Sequence, residues 1–209
     1  MLFLSAIVFF IGYLLGSLPF GYFAGQLNGL DIREHGSRNV GATNVLRVVG
    51  KPWGIGVFIA DALKGFVAVR VALYLASRNP AGAAYLEFFA ILAAAACVVG
   101  HSYPVWLSFK GGKGVATSVG SLLGIMPIAA ATIFLVWLAV FLLTRYVSLA
   151  SILAACALPL VVAALIHWHL TRGMVLLYFS IAMTVLVVWR HRSNLVRLAN
   201  GTEHRFDRK

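Results

Sequence analysis

The sequence predicts an all-α integral membrane protein of seven transmembrane helices, with its N-terminus outside and its C-terminus in the cytoplasm. Three observations lead there. Hydrophobic residues make up 61% of the 209 and charged residues only 11%, with a mean hydropathy of +0.92; an ordinary soluble domain is about 45–50% apolar and about 25% charged. Runs long enough to cross a bilayer recur along the chain, and Lys and Arg gather in alternate loops. The same figures exclude a disordered chain, a coiled coil and a disulfide-stapled secreted domain. Cys97 and Cys156 lie inside apolar runs and form neither a CxxC pair nor a Cys/His cluster, which removes zinc and thiol redox chemistry. A formal net charge of +11 in so apolar a chain must serve topology, anionic lipid or an anionic substrate.

The first element, residues 1–30, carries no charged side chain and has neither a basic leader nor a small-residue cleavage site. It reads as one uncleaved helix rather than a signal peptide. Residues 53–77 follow, apolar apart from Asp61, Lys64 and Arg70, and then 84–103. The stretch 115–144 is uncharged, with Gly120, Gly124 and Met126-Pro127 in its first half. As one helix it would run about 45 Å, too long for one upright pass and short for two. Charge decides the reading. If the chain turns back near Pro127, the loops at 31–52, 104–114 and 145–146 and the tail from 190 share one side and hold 13 of the 17 Lys and Arg, against Arg78 and Arg172 opposite. A single pass would split them 8 against 7, which the positive-inside tendency disfavours. The spans 146–166 and 174–189 complete the set, and 1–209 is expected to form one membrane domain.

Three polar segments then share the cytoplasmic face. In residues 31–47, Ser37, Arg38, Asn39, Thr43, Asn44 and Arg47 surround Gly36 and Gly41. Glycines beside hydroxyl, amide and guanidinium groups allow backbone N–H groups to approach a phosphate while Arg pairs with it; topology alone would need the cations but not the hydroxyls and amides. In residues 100–117, Lys110-Gly111-Gly112-Lys113-Gly114 opens directly into an apolar helix, so flexible backbone, two ammonium groups and a helix N-terminus coincide as an oxyanion cradle. Gly114 after Lys113 rules out a Walker A loop and with it any implied nucleotide hydrolysis. In residues 189–205, His191 and Asn194 would face one way on a continuing helix. Arg190, Arg192 and Arg197 read as a stop-transfer, lipid-contacting cluster, and Glu203 as an ion-pair partner that fixes the tail. Asp61 and Lys64, at i, i+3 inside a span, read as a mutually neutralising structural pair. His167 and His169 have no further ligand nearby, so no metal site is expected.

At these residues the sequence resembles the bacterial membrane glycerol-3-phosphate acyltransferases that use acyl phosphate as donor. The resemblance covers essentially the whole chain: GSLPFG at 16–21, HGSRNVGATNVLR at 35–47, DALKG at 61–65, GHSYPVWLSFKGGKGVAT at 100–117, RYVS at 145–148, and RHRSN at 190–194 with GTE at 201–203. It implies transfer of a fatty acyl group from acyl phosphate to the 1-hydroxyl of sn-glycerol 3-phosphate, giving 1-acylglycerol 3-phosphate and inorganic phosphate, by seven helices with a cytoplasm-facing site in the bacterial inner membrane. Carried over by position, the family's essential serine and arginine fall on Ser37 and Arg47. Its loop glycines fall on Gly111, Gly112 and Gly114, its lysine on Lys113 beside Lys110, and its C-terminal histidine and asparagine on His191 and Asn194. Glu203 matches an acid that maintains structure. A further serine of the family site matches Ser148 or Ser151, of which Ser148 is preferred. Many relatives carry Glu where this chain has Ser193.

The residues agree with this chemistry. Both substrates carry phosphate, and no histidine has the Asp five residues on that soluble-type acyltransferases use, so no strong general base is evident. Acyl phosphate is a mixed anhydride with a good leaving group, for which orientation and oxyanion stabilisation suffice. No cofactor or metal and no nucleic acid is expected, and the chain is expected to work as a monomer in contact with lipid. A transporter would show polar groups at mid-membrane and an internal repeat, and a phosphatidyl-group transferase a cluster of aspartates for divalent metal. Neither pattern is present.

Overall fold

The computed structural model describes residues 1–171 and 173–206; Arg172, Arg208 and Lys209, which enter the charge count above, lie outside the described residues. Those described fold as helices joined by short loops, with no strand among them. They sort into two compact units, Met1–Ile125 and Met126–Lys209, divided next to Pro127, where the sequence places a turn. Four stretches are long and apolar enough to span a membrane, Leu2–Leu27, Leu86–Leu107, Pro127–Thr144 and Val147–His167, and Met174–Arg190 with the short helix after it makes a fifth if the bent pair counts as one. The protein is an integral membrane protein.

The N-terminal unit begins with α1 (Leu2–Ser17) and α2 (Phe20–Leu27). The single helix expected over 1–30 is therefore broken. Pro19 has no N–H to continue the ladder and disfavours helical backbone at the residue before it, and Leu18 is extended, with φ −61° and ψ 114°. A break of this kind in an apolar span leaves carbonyls without donors, and Lys64 Nζ donates to Leu18 O at 2.8 Å. After α3 (Ala42–Val48), α4 (Lys51–Ser77) runs 27 residues, about 40 Å at helical rise, long enough to span with a tilt. Asn79 caps α5 (Pro80–Ala83), its Oδ1 accepting from the Ala81 and Gly82 N–H groups. Next come α6 (Leu86–Ser102) and, after one 3-10 turn at Val105–Leu107, α7 (Val115–Ile125). At 11 residues, about 16 Å, α7 is half the length of a span.

Small residues bring these helices together, as expected where lipid supplies no hydrophobic drive between helices. A Cβ on Gly12 of α1 would lie 2.9 Å from Ala93 O and 3.2 Å from Ala96 Cβ of α6, and one on Gly120 of α7 would lie 2.9 Å from Ala62 Cα of α4. A separate apolar cluster, Ala24, Ile32, Val40, Val45, Val57 and Leu107, lies under the 28–41 loop and α3. The loop is therefore anchored on a core of its own.

The C-terminal unit holds α8 (Pro127–Thr144), α9 (Val147–His167), α10 (Met174–Arg190) and α11 (Arg192–Ala199). Pro159 inside α9 removes the N–H that would bond Ala155 O; the Thr184 hydroxyl of α10 donates to that carbonyl at 2.6 Å. The helix does not run on past His191. It bends there by 58°, with the N–H groups of Asn194 and Leu195 both donating to His191 O at 2.9 and 3.0 Å. The tail folds back on the turn between α8 and α9: Phe206 N–H donates to Arg145 O at 3.0 Å, and Arg205 Nε donates to Thr144 O at 3.2 Å.

Candidate active site

In the N-terminal unit the first polar segment is built around Asn44, which α3 turns inward while Arg47, one turn on, stays exposed. The Asn44 side chain is 2% exposed. Its Oδ1 accepts from the Ser37 N–H at 2.8 Å, and its Nδ2 lies within 2.9–3.3 Å of the carbonyl oxygens of Asn39, His35 and Ile32. One buried amide thus closes the loop on itself, through Gly36 (φ 58°) and Arg38 (φ 58°), left-handed conformations that cost little only for glycine. Asn44 was expected among the ligand-binding groups. Both ends of its amide are engaged inside the protein, so it shapes the loop rather than presenting itself at the surface. Asn39 Oδ1 likewise accepts from the Gly41 N–H at 2.8 Å at the start of α3. Ser37 stays exposed, and Thr43 is half-buried. Arg33 is committed elsewhere, donating through Nε to Asp31 at 2.9 Å. Its hydrogen bonds hold the Asp31 carboxyl down at about 2 and raise its own pKa.

The second segment joins α6 to α7. Gly111 N–H donates to Ser102 O at 3.2 Å and Gly112 N–H to His101 O at 3.1 Å, closing the C-terminal end of α6. These two N–H groups were expected to face a phosphate; they satisfy helix carbonyls that would otherwise be orphaned. The glycines are needed here for close approach, since a Cβ on Gly111 would run into His101 O and Pro104. Gly114 turns at φ 80° and leads into α7, whose first N–H groups have no acceptor within the helix. Lys110 is exposed and Lys113 half-buried on either side of the glycine pair.

Beneath this loop lies a buried polar cluster. Lys64 Nζ meets Asp61 Oδ1 at 2.7 Å and His101 Nδ1 meets the same oxygen at 3.4 Å. Asp61 and His101 also line a cavity of about 10 Å³, with Ser17, Leu18, Phe20 and Val40, room for about one water. Ser17 Oγ, fully buried, has no protein hydrogen-bond partner. Within the span Lys64 therefore has two duties, neutralising Asp61 and satisfying the carbonyl at the α1–α2 break. His101 and Ser17 are not legible as site residues from sequence: the histidine stands in an apolar helix, and only its place ahead of the glycine loop gives a signal.

In the C-terminal unit the third cluster gathers on one carboxylate. Glu203 Oε1 accepts from Ser148 Oγ at 2.7 Å and from Asn194 Nδ2 at 2.6 Å, and Oε2 accepts from Arg197 Nε at 2.7 Å. Burial pushes the Glu203 pKa up, and the hydrogen bonds from Asn194, Ser148 and Arg197 more than offset it, leaving the carboxyl below its ordinary value. Arg197, expected to contact lipid, is thus the ion-pair partner of Glu203. Ser148 joins Asn194 here, whereas Ser151 accepts from Trp137 Nε1 at 3.2 Å and donates to Val147 O at 2.8 Å. His191, 3% exposed, donates from Nδ1 to Val187 O at 2.8 Å, which fixes the tautomer because a carbonyl only accepts. Among the described residues no group of three His, Cys, Asp or Glu is placed to hold a metal.

Known proteins match this chain over nearly its whole length. A family model described as glycerol-3-phosphate acyltransferase matches residues 6–201. The chain belongs to that family. It is therefore an acyltransferase embedded in a membrane. The glycerol-3-phosphate acyltransferase of Synechococcus elongatus is 47% identical over 200 residues, covering 95% of this chain and 93% of the relative, and that of Thermosynechococcus vestitus is 45% identical over 198 residues, covering 93% and 92%. Two crystal structures of PlsY (YgiH), an integral membrane glycerol 3-phosphate acyltransferase, share 40% identity. Its glycerol 3-phosphate form superposes with a TM-score of 0.86 over 97% of this chain and 96% of that one, and its lysophosphatidic acid form with 0.83 over 97% and 95%. The motifs that carry the resemblance, HGSRNVGATNVLR, the glycine loop and RHRSN, all lie within the stretch the family model covers.

Proposed function

We propose that this chain transfers a fatty acyl group from acyl phosphate to the 1-hydroxyl of sn-glycerol 3-phosphate, releasing inorganic phosphate, as the first step of phospholipid synthesis in a bacterial cytoplasmic membrane. The observation that carries the reading is the Lys110–Gly114 loop, two cations flanking a glycine turn that opens into the N-terminus of α7, in a chain of this family. Such a terminus favours an anion through its dipole and its unpaired N–H groups together. Arg47, Lys113, Lys110 and Gly114 bind phosphate, Gly111 and Gly112 seat the loop, and Ser37, Asn39 and Thr43 line the phosphate side of glycerol 3-phosphate. His191 and Asn194 orient its hydroxyls, with Ser148 and Glu203 holding Asn194. The substrate hydroxyl attacks the acyl carbonyl, the new ester bond forms, and the bond from the acyl carbon to the phosphate oxygen breaks. A substrate phosphate oxygen takes the hydroxyl proton. The acyl chain lies in the bilayer, so an enzyme this small needs no soluble acyl pocket.

The experiment supplies purified protein with labelled glycerol 3-phosphate and either acyl phosphate or acyl-CoA. Product with acyl phosphate is expected; product with neither donor ends the acyltransferase reading, and product with acyl-CoA alone ends the donor assignment. Loss of turnover in His191→Gln with substrate binding intact would require a protein base. The proposed topology is one domain over 1–209 that works as a monomer, with seven spans, the N-terminus outside and the site facing the cytoplasm. Cysteines introduced at Ser37 and Ser193 are then labelled from the same side, and labelling from opposite sides breaks it.

A further inference from the structure

The loop glycine Gly112 has no conformational reason to be glycine, because its φ is not among the positive values of this chain. Its reason is steric, and one side chain supplies it. The three atoms nearest to a Cβ placed there are Nε2, Cε1 and Cδ2 of His101, the latter two at 2.9 and 3.0 Å. The imidazole is therefore the shelf on which the loop backbone rests. The residue is tied to its neighbours through backbone and ring: His101 O accepts the Gly112 N–H at 3.1 Å, and the ring Nδ1 faces Asp61 Oδ1 at 3.4 Å. Asp61 is in turn held by Lys64, which is tied to Leu18 O at the α1–α2 break. His101 and Asp61 are 7% and 1% exposed, and a buried imidazole with a carboxylate on one nitrogen has its ring plane set by that contact.

We propose that His101, oriented by Asp61, is a positioning residue that sets the height and rigidity of the Lys110–Gly114 loop. Its catalytic consequence rests on the reading of that loop as a substrate-phosphate site. The imidazole touches no reacting atom; it acts through Gly112.

Hydrogen exchange and steady-state kinetics on the full chain in detergent micelles test this together, using His101→Ala, His101→Gln, Gly112→Ala, the His101→Ala/Gly112→Ala pair and Lys113→Ala. Amide exchange over 110–114 is expected to rise about tenfold in His101→Ala while α8–α10 stay unchanged. KM for acyl phosphate is expected to rise about tenfold with kcat within about twofold, the size a small misplacement produces. Removing the ring also removes the obstacle to a side chain at 112. The pair is therefore expected to be no worse than the poorer single variant, where independent sites would multiply. Unchanged exchange over 110–114, a multiplicative pair, or loosened exchange with unchanged KM each overturns the proposal. If His101→Ala does not fold, His101→Gln, which keeps a donor for Asp61, reads the same quantities. Unchanged KM for both phosphorylated substrates in Lys113→Ala would sink the loop's assignment as a phosphate site, while the exchange data still decide whether His101 holds the loop.

Discussion

In the N-terminal unit the loop ahead of α3 is closed by one uncharged group, the Asn44 amide, whereas in the C-terminal unit Ser148, Asn194 and Arg197 converge on one carboxylate, Glu203. The two solutions fail differently. An amide carries no proton equilibrium near neutral pH, so what Asn44 holds is sensitive to volume and shape and indifferent to acid. A carboxylate that accepts three hydrogen bonds tolerates little loss of charge.

The sharpest test of that contrast is Asn44→Ala. It removes an acceptor and a donor group that together serve four backbone partners, and we expect a loss of about 3 kcal/mol in stability and at least about 100-fold in kcat/KM as Ser37 and Arg47 lose their setting. Asn44→Asp, which keeps the acceptor and loses the donor, should not restore activity. Near wild-type turnover in either variant would mean the loop is held by something else.

Glu203→Gln comes next, with an expected loss of about 2 kcal/mol at neutral pH, read from thermal unfolding in detergent. Because the folded carboxyl titrates below its ordinary value of 4.5, the stabilisation is complete above that value and disappears as pH falls through the folded pKa. The gap between wild type and variant should therefore close on acidification. For Asn44→Ala the gap should stay constant over the same range, and parallel closing in both would erase the distinction drawn between the regions.

Ser148→Ala is expected to lower kcat/KM about tenfold by releasing Asn194, while Ser151→Ala, whose hydroxyl pairs with Trp137 and its own helix, stays within about twofold. The reverse order would move the site one turn along α9. The smallest effect belongs to Thr184→Val, about 1 kcal/mol of stability with kcat unchanged, the scale of one hydrogen bond between membrane helices; Thr184→Ser should recover it.

Much of the architecture is legible in the sequence because apolar length and charge placement are local properties. The spans expected over 53–77, 146–166 and 174–189 and the turn near Pro127 follow from where charges and prolines stand, and the helices at 51–77, 147–167 and 174–190 lie within two residues of them. What escaped was decided by partners that periodicity does not reveal. Pro19 marks a break only once Lys64 is present to satisfy Leu18 O; without that ammonium an interrupted span would expose a carbonyl to lipid. The bend at His191 replaces a straight helix that periodicity alone would extend. Arg197 looks like any interfacial arginine until Glu203 folds back on it.

Composition, motif order and apolar length by themselves determined that this is a helical membrane protein and singled out three polar segments as candidates for binding phosphate, because those readings depend on residue type and spacing. Only the tertiary structure decided that Asn44 faces inward, that Gly111 and Gly112 close α6, and that His101 lies beneath the loop. Each of those depends on which groups find hydrogen-bond partners once the chain has folded in three dimensions, a property that residue type and spacing do not carry.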